Sequence, residues 1–171
     1  VYIRGHAEDF NGWDNQGCNG WGYEDVLPYF IKMESYTGGD SEFRGHNGPL
    51  KIHRPKPNDP ITLAFLDAGK EMGYPITNDV SGFCQEGFGV FDSTIHKGNR
   101  FSSADAYLTP AQQRKNLTII TECHVKKIKF EGNTAIGVQF SDKKNNNIEA
   151  HSSKEVILSA GAIGSPQLLM L

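Results

Sequence analysis

The sequence predicts a mixed chain of the α+β or α/β class, and three observations predict it. Glu155–Leu171 reads EVILSAGAIGSPQLLML, a short apolar run followed by a corner of small residues and the start of a helix. Asp25–Ser35 and Asp59–Met72 carry apolar residues at helical spacing behind capping residues. From Leu117 to His151 the chain alternates apolar and polar residues in short segments broken by turn residues, the pattern of a β-meander.

The C-terminal stretch anchors the rest. Val156-Ile157-Leu158 is too short for a helix, is β-branched at its first two positions and has no polar alternation. It reads as a strand covered on both faces, as in a parallel sheet. Ser159, Ala160, Gly161, Ala162 and Gly164 are small enough for a backbone or a ligand to approach closely. Ser165 is read as a helix cap, with Pro166 at the first helical position. Strand, small-residue turn and helix N-terminus is the order by which α/β proteins aim backbone N–H groups at an anionic cofactor. An ordinary buried strand–turn–helix has the same composition, so both readings stand at this point.

In chain order, residues 1–24 mix glycines with Phe10, Trp13, Trp21 and Tyr23 and read as irregular structure pinned by large side chains. Asp25 is read as the cap of a helix through about Ser35, with Pro28 in its first turn and Val26, Leu27, Phe30 and Met33 on one side. Thr37–Pro49 is a polar, Gly-rich loop, and Leu50–His53 alternates like a short strand. Three prolines, Pro55, Pro57 and Pro60, make an extended connector. Asp59-Pro60 opens a helix through Met72, closed by Gly73, with Leu63, Phe65, Leu66, Ala68 and Met72 expected to be buried. Tyr74–Gly89 is loop, Val90–Ile95 a strand, and Lys97-Gly98-Asn99 a turn. Ser102 or Ser103 caps a short helix over Ala104–Leu108. Leu117–Thr121, Val125–Phe130, Ala135–Phe140 and Ile148–His151 are the strands of the meander, with turns at Gly132-Asn133 and Asp142–Asn147.

Composition removes several function classes. The 171 residues suffice for one domain or parts of two. A net charge of −3 gives no electrostatic case for nucleic acid or an anionic membrane surface. No apolar run has the length of a membrane span and no signal peptide is visible, so a cytoplasmic or membrane-associated location is expected ahead of secretion. The chain opens on Val1 without an initiator Met, and both ends are expected to be cut from a larger protein. Cys18, Cys84 and Cys123 contain no CxxC pair and are expected as free thiols. The six histidines show no HExxH spacing, so no metal site is expected, and no GxSxG elbow supports a serine hydrolase. Glu8-Asp9, adjacent in an extended segment, would point to opposite sides rather than form an acid/base pair.

A series of motifs then resembles a known family. Val1–Phe10, Trp13, Gly20-Trp21-Gly22-Tyr23 and Val26–Phe30 come first. Phe43-Arg44-Gly45 with Gly48-Pro49-Leu50, Gln85–Gly89, Gly98–Ser102 and Ala106-Tyr107-Leu108 follow, and Gly161–Leu169 ends the series. In this order they resemble the glucose–methanol–choline (GMC) flavoprotein oxidoreductases over the whole chain, and within them the branch that oxidises choline and other alcohols.

The resemblance implies a fragment of a two-domain enzyme: a Rossmann-like FAD-binding domain and a substrate domain built on an antiparallel sheet. On that pattern residues 1–45 are the flavin-side lid and linker, 46–112 part of the substrate domain, and 113–171 part of the FAD domain. It implies FAD as cofactor, a small-molecule alcohol as substrate, an electron acceptor, and the N- and C-terminal parts of the same protein as partners. Val125 matches a position whose backbone faces the adenine. Ser159, Ala160 and Gly161 match the strand end beside the adenosine, and Val1 follows a flavin-lining segment. The GxGxxG cradle and the catalytic histidine of the family match nothing in these residues, so no catalytic residue is assigned. Arg4, Trp21, Arg100 and Tyr107 are expected to be structural, through ion pairs or stacking. Two other readings remain: a non-catalytic binding module, favoured by exposed Trp13 and Trp21, and a flavin-dependent lyase of the same family.

Overall fold

The fold is mixed α and β. The computed structural model describes residues 1–38 and 42–171, so part of the loop expected at 37–49 lies outside the described residues. The chain forms two units, Val1–Arg114 and Lys115–Leu171.

The first unit opens with a helix where irregular structure was expected, α1 (Ala7–Asn15). Its cap is a histidine, a residue outside the usual capping set. His6 Nδ1 accepts the Glu8 N–H at 3.2 Å, and the Asp9 carboxylate accepts the His6 N–H at 2.8 Å. Glu8 and Asp9 therefore sit in a helical first turn, where negative charge suits the helix dipole, rather than in an extended segment. Phe10 is buried and packs edge-on against Trp13, at 5.3 Å between ring centroids, and against Phe30 of α2 (Tyr23–Met33) at 5.6 Å. The cap of α2 is Gly22, not Asp25, so Pro28 lies inside the helix.

The helix stops at Met33, earlier than its apolar spacing suggested, because Glu34 begins a strand. β1 (Glu34–Tyr36) pairs in parallel with β2 (Leu50–Ile52), from Glu34 opposite Leu50 to Tyr36 opposite Ile52. The returning chain must pass against the end of α2. A Cβ at Gly45 would lie 1.8 Å from the Ile31 carbonyl oxygen, and one at Gly48 would lie 2.3 Å from the Met33 carbonyl carbon. Only glycine fits either position. Tyr36, Leu50, Ile52 and Ala106 form the buried core, with Tyr2, Met33 and Phe101 packed against it.

α3 (Pro60–Glu71) has the expected ends. Asp59 accepts the Thr62 N–H at 2.8 Å, Pro60 takes the first turn, and Gly73 follows at φ +82°. Its expected burial fails: Phe65 is 64% and Met72 73% exposed, Leu63 and Ala68 are exposed, and Leu66 is half-buried. Only Gly69 is buried, against the Phe88 ring. Periodicity fixes which face is apolar but not whether another element covers it.

The strand expected at Val90–Ile95 is reduced to two bridges, Tyr2 to Asp92 and His53 to Ser93. A short hairpin follows, β3 (Ile95–His96) with β4 (Asn99–Arg100). Lys97 and Gly98 both have positive φ at its turn, as a type I′ two-residue hairpin demands. Ala104–Leu108 is a π-helical turn that runs past Pro110 into α4 (Thr109–Ala111). The Ser102 hydroxyl accepts the Asp105 N–H, and the Asp105 carboxylate accepts the Ser102 N–H in return.

A buried ionic network holds these pieces together. Glu34 Oε1 accepts from Arg4 at 2.6 Å, Arg44 at 2.8 Å and the Gly45 N–H at 2.9 Å. Arg44 also donates to Asp79 at 2.6 Å and Asp92 at 2.9 Å, while Arg54 reaches Asp92 at 2.8 Å and Asp79 at 3.2 Å. The Arg44 guanidinium lies 3.6 Å from the centre of the Tyr36 ring. Burial opposes the charge on Arg44, but the hydrogen bond and charge of Glu34, with Asp79 and Asp92 behind, outweigh it and raise its pKa.

The second unit is a three-stranded antiparallel sheet and one helix. β5 (His124–Glu131), β6 (Thr134–Ser141) and β7 (Asn147–His151) lie in that order, with Val125 opposite Phe140 and Phe140 opposite Ile148. Gly132 at φ +56° makes the first turn, as expected. The fourth expected strand, Leu117–Thr121, does not form. Nor does Val156–Leu158, where Ile157 is 79% exposed. A buried parallel strand needs a neighbouring strand and cover on both faces, and among the described residues no strand pairs with this segment. α5 (Gly161–Met170) starts before Ser165, so Ser165 and Pro166 lie within the helix. The Ser165 hydroxyl accepts the Ala160 N–H at 3.0 Å, reaching back over the first turn.

Arg44→Met leaves Glu34 and Asp92 buried beside unmatched charge. It is expected to cost about 3–5 kcal/mol, measured by urea unfolding followed by circular dichroism. Gly45→Ala is expected to destabilise as well, because the conflicting atom is backbone.

Candidate functional site

In the second unit β5 is an outer strand, so one of its edges has no neighbouring strand among the described residues. α5 packs against it. Between them lies a cavity of about 270 Å³ lined by His124, Val125, Ala160, Gly164, Gln167 and Leu168, together with the terminal Leu171. Gln167, Leu168 and Leu171 form part of its helix side, and small residues form the rest: a Cβ on Gly164 would meet only the Ala160 methyl, at 3.2 Å. The space exists because side chains are missing there.

Gly161 opens α5 at φ +83°, in the region that favours glycine. A Cβ at that position would meet nothing within 4 Å. Its requirement is conformational, set by the chain turning out of the Val156–Leu158 segment into the helix. Val125 precedes an irregularity in the pairing of β5 with β6, between Val125 and Lys127. Such an irregularity re-aims backbone groups at a strand edge.

Of the site residues read from the sequence, Val125 and Ala160 line this one cavity. Ser159 and Gly161 flank Ala160, are exposed and lie outside the lining. Val1 is 84% exposed and belongs to the first unit. The sequence reading named Gly164 among the small residues open to a ligand, but missed Gln167 and Leu168, which lie about two turns along α5 from Ala160. The helical repeat of Ala160, Gly164 and Leu168, every fourth residue, was the available signal.

The cavity is lined by aliphatic and small residues with His124 and Gln167 as polar groups. Its volume falls just below the range of about 300–1,000 Å³ for whole small-molecule sites. It therefore suits one flat end of a larger ligand, such as the base of a dinucleotide, and the residues present fit that part of FAD.

In the first unit, Arg4 is an ion-pair residue as expected. Trp21 meets Trp13 edge-on at 6.2 Å between ring centroids, both about half exposed, at 55% and 47%. Arg100 and Tyr107 are exposed, with no ion pair or ring contact among the described residues. Phe10, Trp21, Val26, Tyr29 and Phe30 line an apolar groove of about 500 Å³ on the α1–α2 hairpin.

Comparison with known proteins gives a consistent result. The profile described as GMC oxidoreductase matches residues 1–171. The mitochondrial choline dehydrogenase of Homo sapiens is 52% identical over 171 residues, covering 100% of this chain and 29% of that protein. The oxygen-dependent choline dehydrogenase of Staphylococcus xylosus is 50% identical over 175 residues, covering 100% of this chain and 31% of its own length. Among solved structures, pyridoxine 4-oxidase from Mesorbium loti superposes with a TM-score of 0.85 at 37% identity over 99% of this chain and 33% of its own. An FAD-dependent oxidoreductase from Chaetomium thermophilum gives 0.89 at 30% identity over 99% and 32%. The chain thus spans less than a third of the length of the curated relatives it matches.

Gly161→Ala is expected to destabilise the second unit by about 1–2 kcal/mol through backbone strain alone. Gly161→Asn is expected to cost less, since Asn tolerates positive φ. Equal losses in thermal unfolding would show that the backbone conformation is not the cause.

Proposed function

The chain belongs to the GMC oxidoreductase family, and from that premise we propose that it is part of an FAD-dependent oxidoreductase acting on CH–OH groups, with a small alcohol of the choline type as substrate. The observation that carries the reading is the meeting of Val125 and Ala160, from separate segments, in one small cavity beside a strand edge and a helix start. Identity of 50% and 52% with two choline dehydrogenases supports the substrate class. Likeness in fold to a pyridoxine 4-oxidase at 37% identity keeps that class at the level of small alcohols.

On this reading residues 113–171 belong to the FAD domain. The β5 edge at Val125 offers backbone groups to the adenine, and Ala160, with Ser159 and Gly161 beside it, leaves room for the adenosine. Leu168 and the Gly164 backbone form the apolar wall that keeps water from the base. Val1 lies near the flavin, residues 1–45 act as lid and linker, and residues 46–112 belong to the substrate domain. The division of the chain after Arg114 supports the second of these boundaries. FAD, when bound, supplies the hydride-accepting chemistry. The half-exposed Trp13–Trp21 pair favours a second reading, a binding surface without catalysis.

The purified full-length protein is expected to carry FAD and to reduce an artificial electron acceptor when given choline or a related alcohol. A colourless protein with no releasable flavin would overturn the reading, and flavin without acceptor reduction would favour the lyase of the same family. Residues 1–171 expressed alone are expected to purify without flavin. Ala160→Leu in the full-length protein fills the cavity and is expected to weaken FAD binding by about tenfold, roughly 1.4 kcal/mol, by titration of the apoprotein.

A further inference from the structure

The first unit contains a larger cavity of about 690 Å³ that the oxidoreductase reading does not use. It lies where the end of β1, the proline-rich connector after β2, one side of α3 and the segments around Ile76 and Val90 converge. Its volume is in the range of whole small-molecule sites. Most of its wall is apolar: Tyr36, Pro55, Pro57, Leu66, Ile76 and Val90.

Its charge is one-sided. Among the described residues the lining includes His53, Arg54 and Lys56 and no Asp or Glu, in a chain whose net charge is −3. Arg54 is held from behind by Asp92 and Asp79, so its position is fixed. Lys56 and His53 are exposed and form no ion pair or side-chain hydrogen bond among the described residues, and the Asn78 amide is likewise unengaged. Free cationic and neutral donors on an apolar wall favour an anion with an apolar body. They disfavour a quaternary ammonium, which the same charges repel.

We propose that this cavity binds an amphipathic carboxylate, its apolar part against Tyr36, Leu66, Ile76 and Val90 and its carboxylate at the basic side formed by His53, Arg54 and Lys56. The site is separate in charge preference from one that takes a choline-type alcohol. It stands or falls independently of the FAD reading.

The test uses octanoate and its neutral counterpart octanamide with the full-length protein, by isothermal titration and saturation-transfer NMR. Octanoate is expected to bind and octanamide to bind more weakly. Lys56→Gln, a change at an exposed and unpaired side chain, is expected to weaken octanoate by about two- to fivefold. Lys56→Glu is expected to weaken it further. Ile76→Trp fills the cavity from a partly exposed position and is expected to abolish binding, with its melting temperature compared to confirm the fold. The proposal is overturned if octanoate does not bind at millimolar concentration, if octanamide binds as tightly, or if Lys56→Glu and Ile76→Trp leave binding unchanged.

Discussion

The Glu34 carboxylate is the constraint on which the first unit depends. It sits fully buried where α2 ends and β1 begins, with Arg4, Arg44 and the Gly45 N–H around it. An isolated buried carboxylate costs far more than any single contact in the fold returns. The segments that bring these donors therefore have to be in place together. Arg44 extends the tie to Asp79 and Asp92, and Arg54 closes it from the other side. Arg4, Arg44 and Arg54 balance Glu34, Asp79 and Asp92 in formal charge, so the cluster is neutral as a whole. Such a cluster is not worth more than well-packed apolar groups, but it is intolerant of losing one member.

The geometry around that cluster explains the glycines of the Phe43-Arg44-Gly45 and Gly48-Pro49-Leu50 segments. Arg44 can reach Glu34 only if the backbone on either side runs against the last turn of α2, and any Cβ at Gly45 or Gly48 would collide with it. The same approach sets β2 parallel to β1 and puts Tyr36 under the Arg44 guanidinium. The second unit uses small residues differently. Ala160 and Gly164 line the cavity with little more than backbone, and Gly161 supplies a turn that other residues would strain.

Several large apolar side chains are exposed here, among them Phe65 and Ile157, which the sequence marks for burial. Ile61 and Phe65 on α3, Ile157 in the failed strand, and Ile163 and Met170 on α5 are all more than half exposed. Exposed apolar faces of this kind mark surfaces that other elements or partners cover. The relatives matched here are more than three times as long as the chain. The sequence pattern thus carries requirements that the 171 residues do not themselves meet.

What the sequence determined by itself was local or ordered along the chain. Asp59 and Gly73 set the ends of α3, Gly132-Asn133 set the meander turn, and the motif series identified the family. Each acts over a few residues or through linear order, so no knowledge of packing was needed. Tertiary structure decided the rest. α2 stopped at Met33 because Glu34 was taken by Arg4 and Arg44, and Val125 met Ala160 because α5 packs on β5. The network joins residues as far apart as Arg44 and Asp92, 48 positions along the chain. Ionic and packing partners at such separations leave no periodicity to read, since the chain can bring them together in many ways and only the folded arrangement selects one.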